Sequence, residues 1–149
     1  MALKMLVFDY RETEHNFFDQ NKFDNYDINF FDYPLDDNTV QNLSVEDKNQ
    51  AVIISIFIDS FLTKNVIDNF KNLRTIAVRA TGYDHVSKKA CENRNIAVLN
   101  VPNYGEVAVA EYTMGLIISV VRKIPRAILT VIDGTYAKQD LVGRDLKEL

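Results

Sequence analysis

Hydrophobic and polar positions along this chain fall into short blocks that switch between two periods. Residues 5–8 form a compact apolar run closed by Asp9-Tyr10-Arg11, which predicts a buried first strand. Over residues 12–23, Phe17, Phe18 and Phe23 recur among charges at roughly helical spacing and predict a first helix. Residues 27–31 alternate and predict a second, shorter strand. Tyr33-Pro34-Leu35-Asp36-Asp37-Asn38 reads as a loop, because Pro and the Asx side chains compete with regular structure. A short helix is expected from Thr39 or Asn42 to Lys48.

The strongest strand signal is residues 51–58, a continuous Val/Ile/Phe run of the kind that is buried on both faces. Thr63 is placed to cap a helix over residues 64–70. Residues 75–79 make the next strand. Residues 84–95 read as a helix with Val86 and Ala90 inward and Lys88, Lys89, Glu92 and Arg94 outward. Residues 96–100 make a last strand. Strands alternating with helices imply right-handed crossovers and a parallel sheet. The expected fold is therefore α/β: a flavodoxin-like parallel sheet of about five strands with flanking helices.

Residues 106–128 then read as one long helix, apolar through Val109, Ala110, Met114, Leu116, Ile117, Ile118, Val120, Val121 and Ile124. That face is wider than a surface helix needs, so burial on more than one side is expected. Pro125 lies near its far end, where it kinks or ends the helix. The tail from Asp133-Gly134 onward is polar and irregular. A helix too apolar for the domain before it, followed by such a tail, suggests a chain cut before a second domain.

Bulk properties narrow the function classes. The 149 residues allow one ordinary domain with a real core, and 47% hydrophobic with 26% charged residues is a globular composition. Net charge is −4 with no Lys/Arg stripe to neutralise phosphates, so no nucleic-acid partner is expected. The apolar N-terminus is interrupted by Asp9, Arg11 and Glu12 too soon for a signal peptide, and the apolar run at residues 114–121 is too short to span a bilayer. Cys91 is the one cysteine, which excludes a disulfide framework and a cysteine-based metal site and fits a reducing cytoplasm.

Chemistry concentrates between Arg79 and Ile124, where two loops follow two strands and lead into the apolar helix. In open α/β sheets ligands bind where strands end and loops begin. The run Arg79-Ala80-Thr81-Gly82-Tyr83-Asp84-His85-Val86 resembles the R-x-x-G-x-(D/N)-x-(V/I) loop of the NAD-dependent D-2-hydroxyacid dehydrogenases. Asn100-Val101-Pro102-Asn103-Tyr104-Gly105 is similar to their N-V-P-x-Y-S segment. Val109-Ala110-Glu111-Tyr112-Thr113, with Val121-Arg122-Lys123-Ile124, resembles the helix crossing from their substrate domain into their cofactor domain. Asp133-Gly134 and Gly143-Arg144-Asp145-Leu146 look like the segment upstream of their glycine-rich loop. The motifs stand in register over nearly the whole chain, and the D-lactate dehydrogenase branch is the most similar.

The resemblance implies reversible hydride transfer between NADH and a small 2-keto acid. It implies a substrate (catalytic) domain over residues 1–101, a hinge and crossover helix over 102–130, and a tail over 131–149 that leads to an NAD-binding Rossmann domain missing from this sequence. Thr81 and Gly82 match the loop whose backbone N–H groups hold the substrate carboxylate, and adjacent donors in such a turn form an anion nest. Tyr104 matches a phenol offered to the substrate, and Val109 an apolar residue beside the nicotinamide. The helix implies a homodimer. Gly105 stands where Ser is usual, Tyr112 where His is frequent and Ser87 where Asp is common, though Ser87 still suits a helix cap. No G-x-G-x-x-G follows a strand, and the family's catalytic Arg, Glu and His lie in or beyond the cofactor domain. This sequence alone is therefore expected to hold no catalytic residue and no metal, and to be inactive.

Other readings remain open at this stage. Gly82 alone is accounted for by a positive φ, Tyr104 by half-burial of an aromatic, and Arg79 by a structural carboxylate partner. His85 reads as a helix-start surface residue and His15 as solvated. The carboxylates Asp9, Glu12, Asp24 and Asp27 read as a solvated face. A receiver-type phosphorylation module would use Asp9, Asp59 and Thr81, but it needs a Lys where this chain has Val101-Pro102-Asn103, and an acidic pair for Mg²⁺ where it has Asp9 alone. A free-standing carboxylate-binding module is the remaining alternative.

Overall fold

The computed structural model describes residues 2–18, 23–135 and 141–148, which divide into two compact units, Met1–Tyr104 and Gly105–Leu149. The first unit is built on five parallel strands: β1 (Leu3–Val7), β2 (Tyr26–Phe30), β3 (Ala51–Ile56), β4 (Thr75–Val78) and β5 (Ala97–Leu99). Their order is β2-β1-β3-β4-β5, the flavodoxin-like arrangement expected from the alternating pattern. Leu6, Ile54, Ile76 and Val98 stand in register across four strands, and the first three are fully buried. Val66, Ile67 and Phe70 close the core with Phe8, which stacks on Phe31 at 4.6 Å. Val52 and Ile53 are only partly buried and β3 ends at Ile56, so the predicted strand overran by two residues and Ile58 is exposed.

The helices are shorter than the periodicity predicted. Helix α1 (Val45–Gln50) starts at Ser44, whose hydroxyl accepts from Asp47 N–H, and a separate 3₁₀ turn occupies Thr39–Asn42. Helix α2 (Lys64–Asp68) is capped by Thr63, whose hydroxyl accepts from Val66 N–H as expected. Helix α3 (Lys88–Asn93) begins four residues after the predicted start, because residues 84–87 are used in a turn that bridges Val86 to Leu62. Ser87 stands at its N-cap but does not cap through its hydroxyl; its carbonyl accepts from Ala90 and Cys91 instead. The first predicted helix is a 3₁₀ segment over Glu12–Phe18. It buries no residue, and Phe17 is exposed, so no core contact extends it into an α-helix. The rest of that prediction, residues 19–22, lies outside the described residues.

The second unit corrects a larger expectation. The predicted single helix over 106–128 is two helices, α4 (Glu106–Val121) and α5 (Ile124–Ile132). Lys123 between them takes a left-handed conformation with φ of 53°. Pro125 is the physical reason: it lacks an N–H and its ring clashes with the carbonyl four residues earlier, on Val121. Pro125 is tolerated in the first turn of α5, where that N–H has no helical partner. The released Val121 carbonyl accepts instead from Arg144 N–H at 3.0 Å. The adjacent Gly143 packs so closely on Val121 and Arg122 that a Cβ there would overlap their backbone.

Asp9, expected on a solvated face, is buried at the end of β1 with φ of 53°. Its Oδ2 accepts from Ser60 Oγ at 2.6 Å and from Phe57 N–H at 3.0 Å, and Ser60 Oγ in turn accepts from Leu35 N–H at 2.9 Å. Asp9→Ala leaves those donors without an acceptor and puts alanine in the left-handed region. It should cost about 2–4 kcal/mol, with Asp9→Asn costing less, read as a lowered urea midpoint at unchanged m-value. An Asp9→Ala chain with the parental midpoint would refute this role.

Candidate functional site

The C-terminal strand ends gather the chain's polar chemistry. Winding reverses between β1 and β3, since the chain runs outward from β1 to β2 and returns on the other side. Such a switch point leaves a crevice beyond the strand ends. Asp9, Phe57 and Arg79 lie there, and the cations of Arg11 and Arg79 sit 5.3 and 6.0 Å from the Phe57 ring centroid.

The loop after β4 carries Thr81 and Gly82 and is cross-linked to the loop after β5. Val101 N–H donates to Ala80 O at 3.0 Å, Thr81 Oγ1 donates to Val101 O at 3.0 Å, and Asn100 Nδ2 donates to Thr81 O at 2.8 Å. The loop's carbonyls and hydroxyl are thus engaged on one side. The N–H groups of Thr81 and Gly82 have no acceptor among the described residues, and both residues are exposed. Gly82 has no positive φ, and a Cβ there would meet nothing within 4 Å. The turn-geometry account of this glycine therefore fails, since neither strain nor packing requires it.

Tyr104 lies in the same unit, on the turn after β5, where Asn103 adopts a left-handed φ of 61°. It is 65% exposed, so half-burial does not account for it either. Val109 is on the first turn of α4 in the other unit and is also exposed. Gly105, where the family motif usually has Ser, is the N-cap of α4 and gives no side-chain cap to the orphan N–H groups.

Other candidates resolve as structural. Arg79 does pair with a carboxylate, Glu14, at 3.2 Å, and it makes further contacts that local spacing could not reveal. His15 Nδ1 lies 3.1 Å from the Tyr10 hydroxyl. His85 is half-buried rather than a surface residue, with its ring against Phe61 and a buried Nε2 that has no hydrogen-bond partner among the described residues. The Asp9 carboxylate is spent on Ser60 and Phe57, so the receiver-type acidic centre is not assembled. Among the described residues no three acidic, His or Cys side chains gather as metal ligands, and no helix is long and apolar enough to cross a membrane. Burial raises the Cys91 thiol pKa, the neighbouring Arg94 opposing, which leaves that thiol protonated and unreactive at neutral pH.

Asn100→Ala tests the cross-link between the two loops. Losing one hydrogen bond of about 1 kcal/mol should speed amide exchange at Val101 roughly fivefold without moving exchange in β1 or β3. Unchanged exchange at Val101 would show that the loops hold each other without it.

Comparison with known proteins bears on the fold and the family. Residues 5–141 match the family model of the D-isomer specific 2-hydroxyacid dehydrogenase catalytic domain. A 2-hydroxyacid dehydrogenase homolog from Haemophilus influenzae is 30% identical over 121 residues, covering 80% of this chain and 35% of that protein. A D-lactate dehydrogenase from Curvularia clavata is 33% identical over 129 residues, 85% of this chain and 36% of that one. The crystal structure of a D-lactate dehydrogenase from Aquifex aeolicus, solved with NAD and lactic acid, superposes with a TM-score of 0.84 at 22% identity, covering 97% of this chain and 42% of that one. This chain thus spans less than half the length of each of these proteins. With the family model covering nearly all of it, the chain belongs to the D-isomer-specific 2-hydroxyacid dehydrogenases, as their catalytic domain.

Proposed function

We propose that this chain is the substrate-binding part of an NAD-dependent oxidoreductase that interconverts small 2-keto acids and D-2-hydroxy acids, of the pyruvate/D-lactate type. The observation that carries the reading is the Thr81–Gly82 backbone: two adjacent, exposed N–H groups without acceptors, at a glycine that neither φ nor packing explains. Consecutive backbone donors suit a carboxylate, and a glycine lets it approach the chain closely. The exposed Tyr104 phenol serves as a donor to the same substrate, set on a turn one strand over. Carbonyls and a hydroxyl that are already engaged by Asn100 and Val101 keep the loop's donors, rather than its acceptors, available to an anion.

Val109, apolar and exposed on α4, fits an apolar flank for a nicotinamide ring. No G-x-G-x-x-G turn follows a strand among the described residues, so the dinucleotide's pyrophosphate has no cradle here. When bound, NADH supplies the hydride. This chain's part is to hold and orient the acid, and His15 and His85 are not proposed as its proton donor. In this reading residues 1–101 are the substrate domain, residues 102–130 the hinge and crossover segment, and the 149 residues alone are inactive. The protein is cytoplasmic, in keeping with a single buried thiol.

The test is NADH oxidation by the complete gene product with pyruvate and longer 2-keto acids. Gly82→Ala should leave the unfolding midpoint within error while raising the keto-acid KM about tenfold. Tyr104→Phe should raise it about threefold to tenfold, the worth of one hydrogen bond. Unchanged KM in Gly82→Ala removes the carboxylate site, and unchanged KM in Tyr104→Phe removes the phenol contact. Keto-acid binding without turnover in the complete product would point to a carboxylate-binding module.

The exposed apolar side chains of α4 beyond its first turn, including Tyr112, Leu116 and Val120, support a homodimer formed through this helix. Leu116→Glu should shift sedimentation of the complete product from dimer to monomer. Persistence of the dimer would place its interface elsewhere.

A further inference from the structure

We propose that Arg79 is a positioning residue for the Thr81–Gly82 loop, holding it against the ends of β1 and β3 so that its two free N–H groups face the substrate carboxylate. The inference rests on the reading of that loop as the carboxylate site. Arg79 directly follows β4, and its own N–H still pairs with Ile56 O at 2.8 Å. Its side chain turns away from the onward course of the chain and crosses two strands. Nη1 donates to Ser55 Oγ in β3 at 2.9 Å, Nη2 to Phe8 O and Asp9 O at the end of β1 at 2.9 and 3.1 Å, and Nε to Glu14 Oε1 at 3.2 Å. The side chain is 19% exposed, and of these acceptors Glu14 alone carries charge.

The loop is therefore gripped from two sides. Towards β5, Val101 and Asn100 take the carbonyls of Ala80 and Thr81 and the Thr81 hydroxyl. Towards β1, the grip is the Arg79 guanidinium. With the guanidinium grip gone, the loop would pivot on the β5 cross-link at Ala80 and Thr81, which turns the adjacent N–H vectors more than it moves the fold. Hydrogen-bond strength depends steeply on those directions. Substrate affinity should then fall before hydride transfer does. Lysine cannot substitute: an ammonium is a point donor, whereas the guanidinium fork spans acceptors on β1, β3 and the 3₁₀ segment in one plane.

The experiment is steady-state kinetics of the complete gene product carrying Arg79→Lys, Ser55→Ala or Glu14→Gln, beside Gly82→Ala and Asp47→Asn. Asp47 is a buried carboxylate held by Asn29 and Ser44, away from the loop, so its variant reports general destabilisation. Arg79→Lys should raise the keto-acid KM about tenfold with kcat and the NADH KM within about twofold. Ser55→Ala, which removes one acceptor, and Glu14→Gln, which keeps an acceptor oxygen but removes its charge, should raise it about threefold. An unchanged keto-acid KM in Arg79→Lys, or an equal rise in Asp47→Asn, overturns the inference. If Arg79→Lys does not fold, Ser55→Ala and Glu14→Gln decide by the same criterion. Gly82→Ala separates the two ideas: no effect there sinks the carboxylate site itself, whereas an effect there without one at Arg79 sinks only the positioning role.

Discussion

The joint at the end of β1 is the constraint on which the rest of the first unit depends. There the winding of the sheet reverses, and two neighbouring strands that are not consecutive in the chain must be fastened side by side. The buried Asp9 carboxylate does this through Ser60 and Phe57, in a backbone conformation that most residues avoid. A polar group taken out of water is stabilising only when its partners are satisfied, and here the partners come from the stretch following β3. Arg79 reads the same joint from outside, through the carbonyls of Phe8 and Asp9.

How much of this was legible follows from the range of each interaction. The Val/Ile run of β3 and the Thr63 cap of α2 are local signals, and both elements start where the residues indicate, though each ends two residues early. The sheet order followed from the alternation of strands and helices. Arg79 was visible as one end of an ion pair, but its acceptors on Ser55 and Phe8 are 24 and 71 positions away, beyond any periodicity. Asp9 reads as solvated in the sequence because a carboxylate between Phe8 and Tyr10, two residues before Arg11, gives no local sign that Ser60 will reach it. The residues of α4 and α5 are apolar on both sides of Arg122-Lys123, so hydropathy ran through the break. Pro125 carried the signal, but it acts four residues upstream of itself.

The candidate site is unusual in what made it readable. Its motif positions, Thr81, Gly82 and Tyr104, are exposed, and the structure removes the ordinary explanations for two of them rather than adding side-chain contacts. A function carried by backbone N–H groups leaves little in composition or charge. It surfaces as a glycine that the fold itself does not need.

The break between α4 and α5 bears on how this chain tolerates redesign. The carbonyl that Pro125 frees on Val121 is taken up by Arg144, across a contact so tight that only glycine fits at position 143. Two distant stretches of sequence are thereby spliced at one backbone atom. A fusion junction or deletion that stops short of Gly143 would strip the splice and leave that carbonyl to water. A boundary placed after Arg144 keeps both halves of it, which makes the position of a cut, rather than the length retained, the quantity to choose with care.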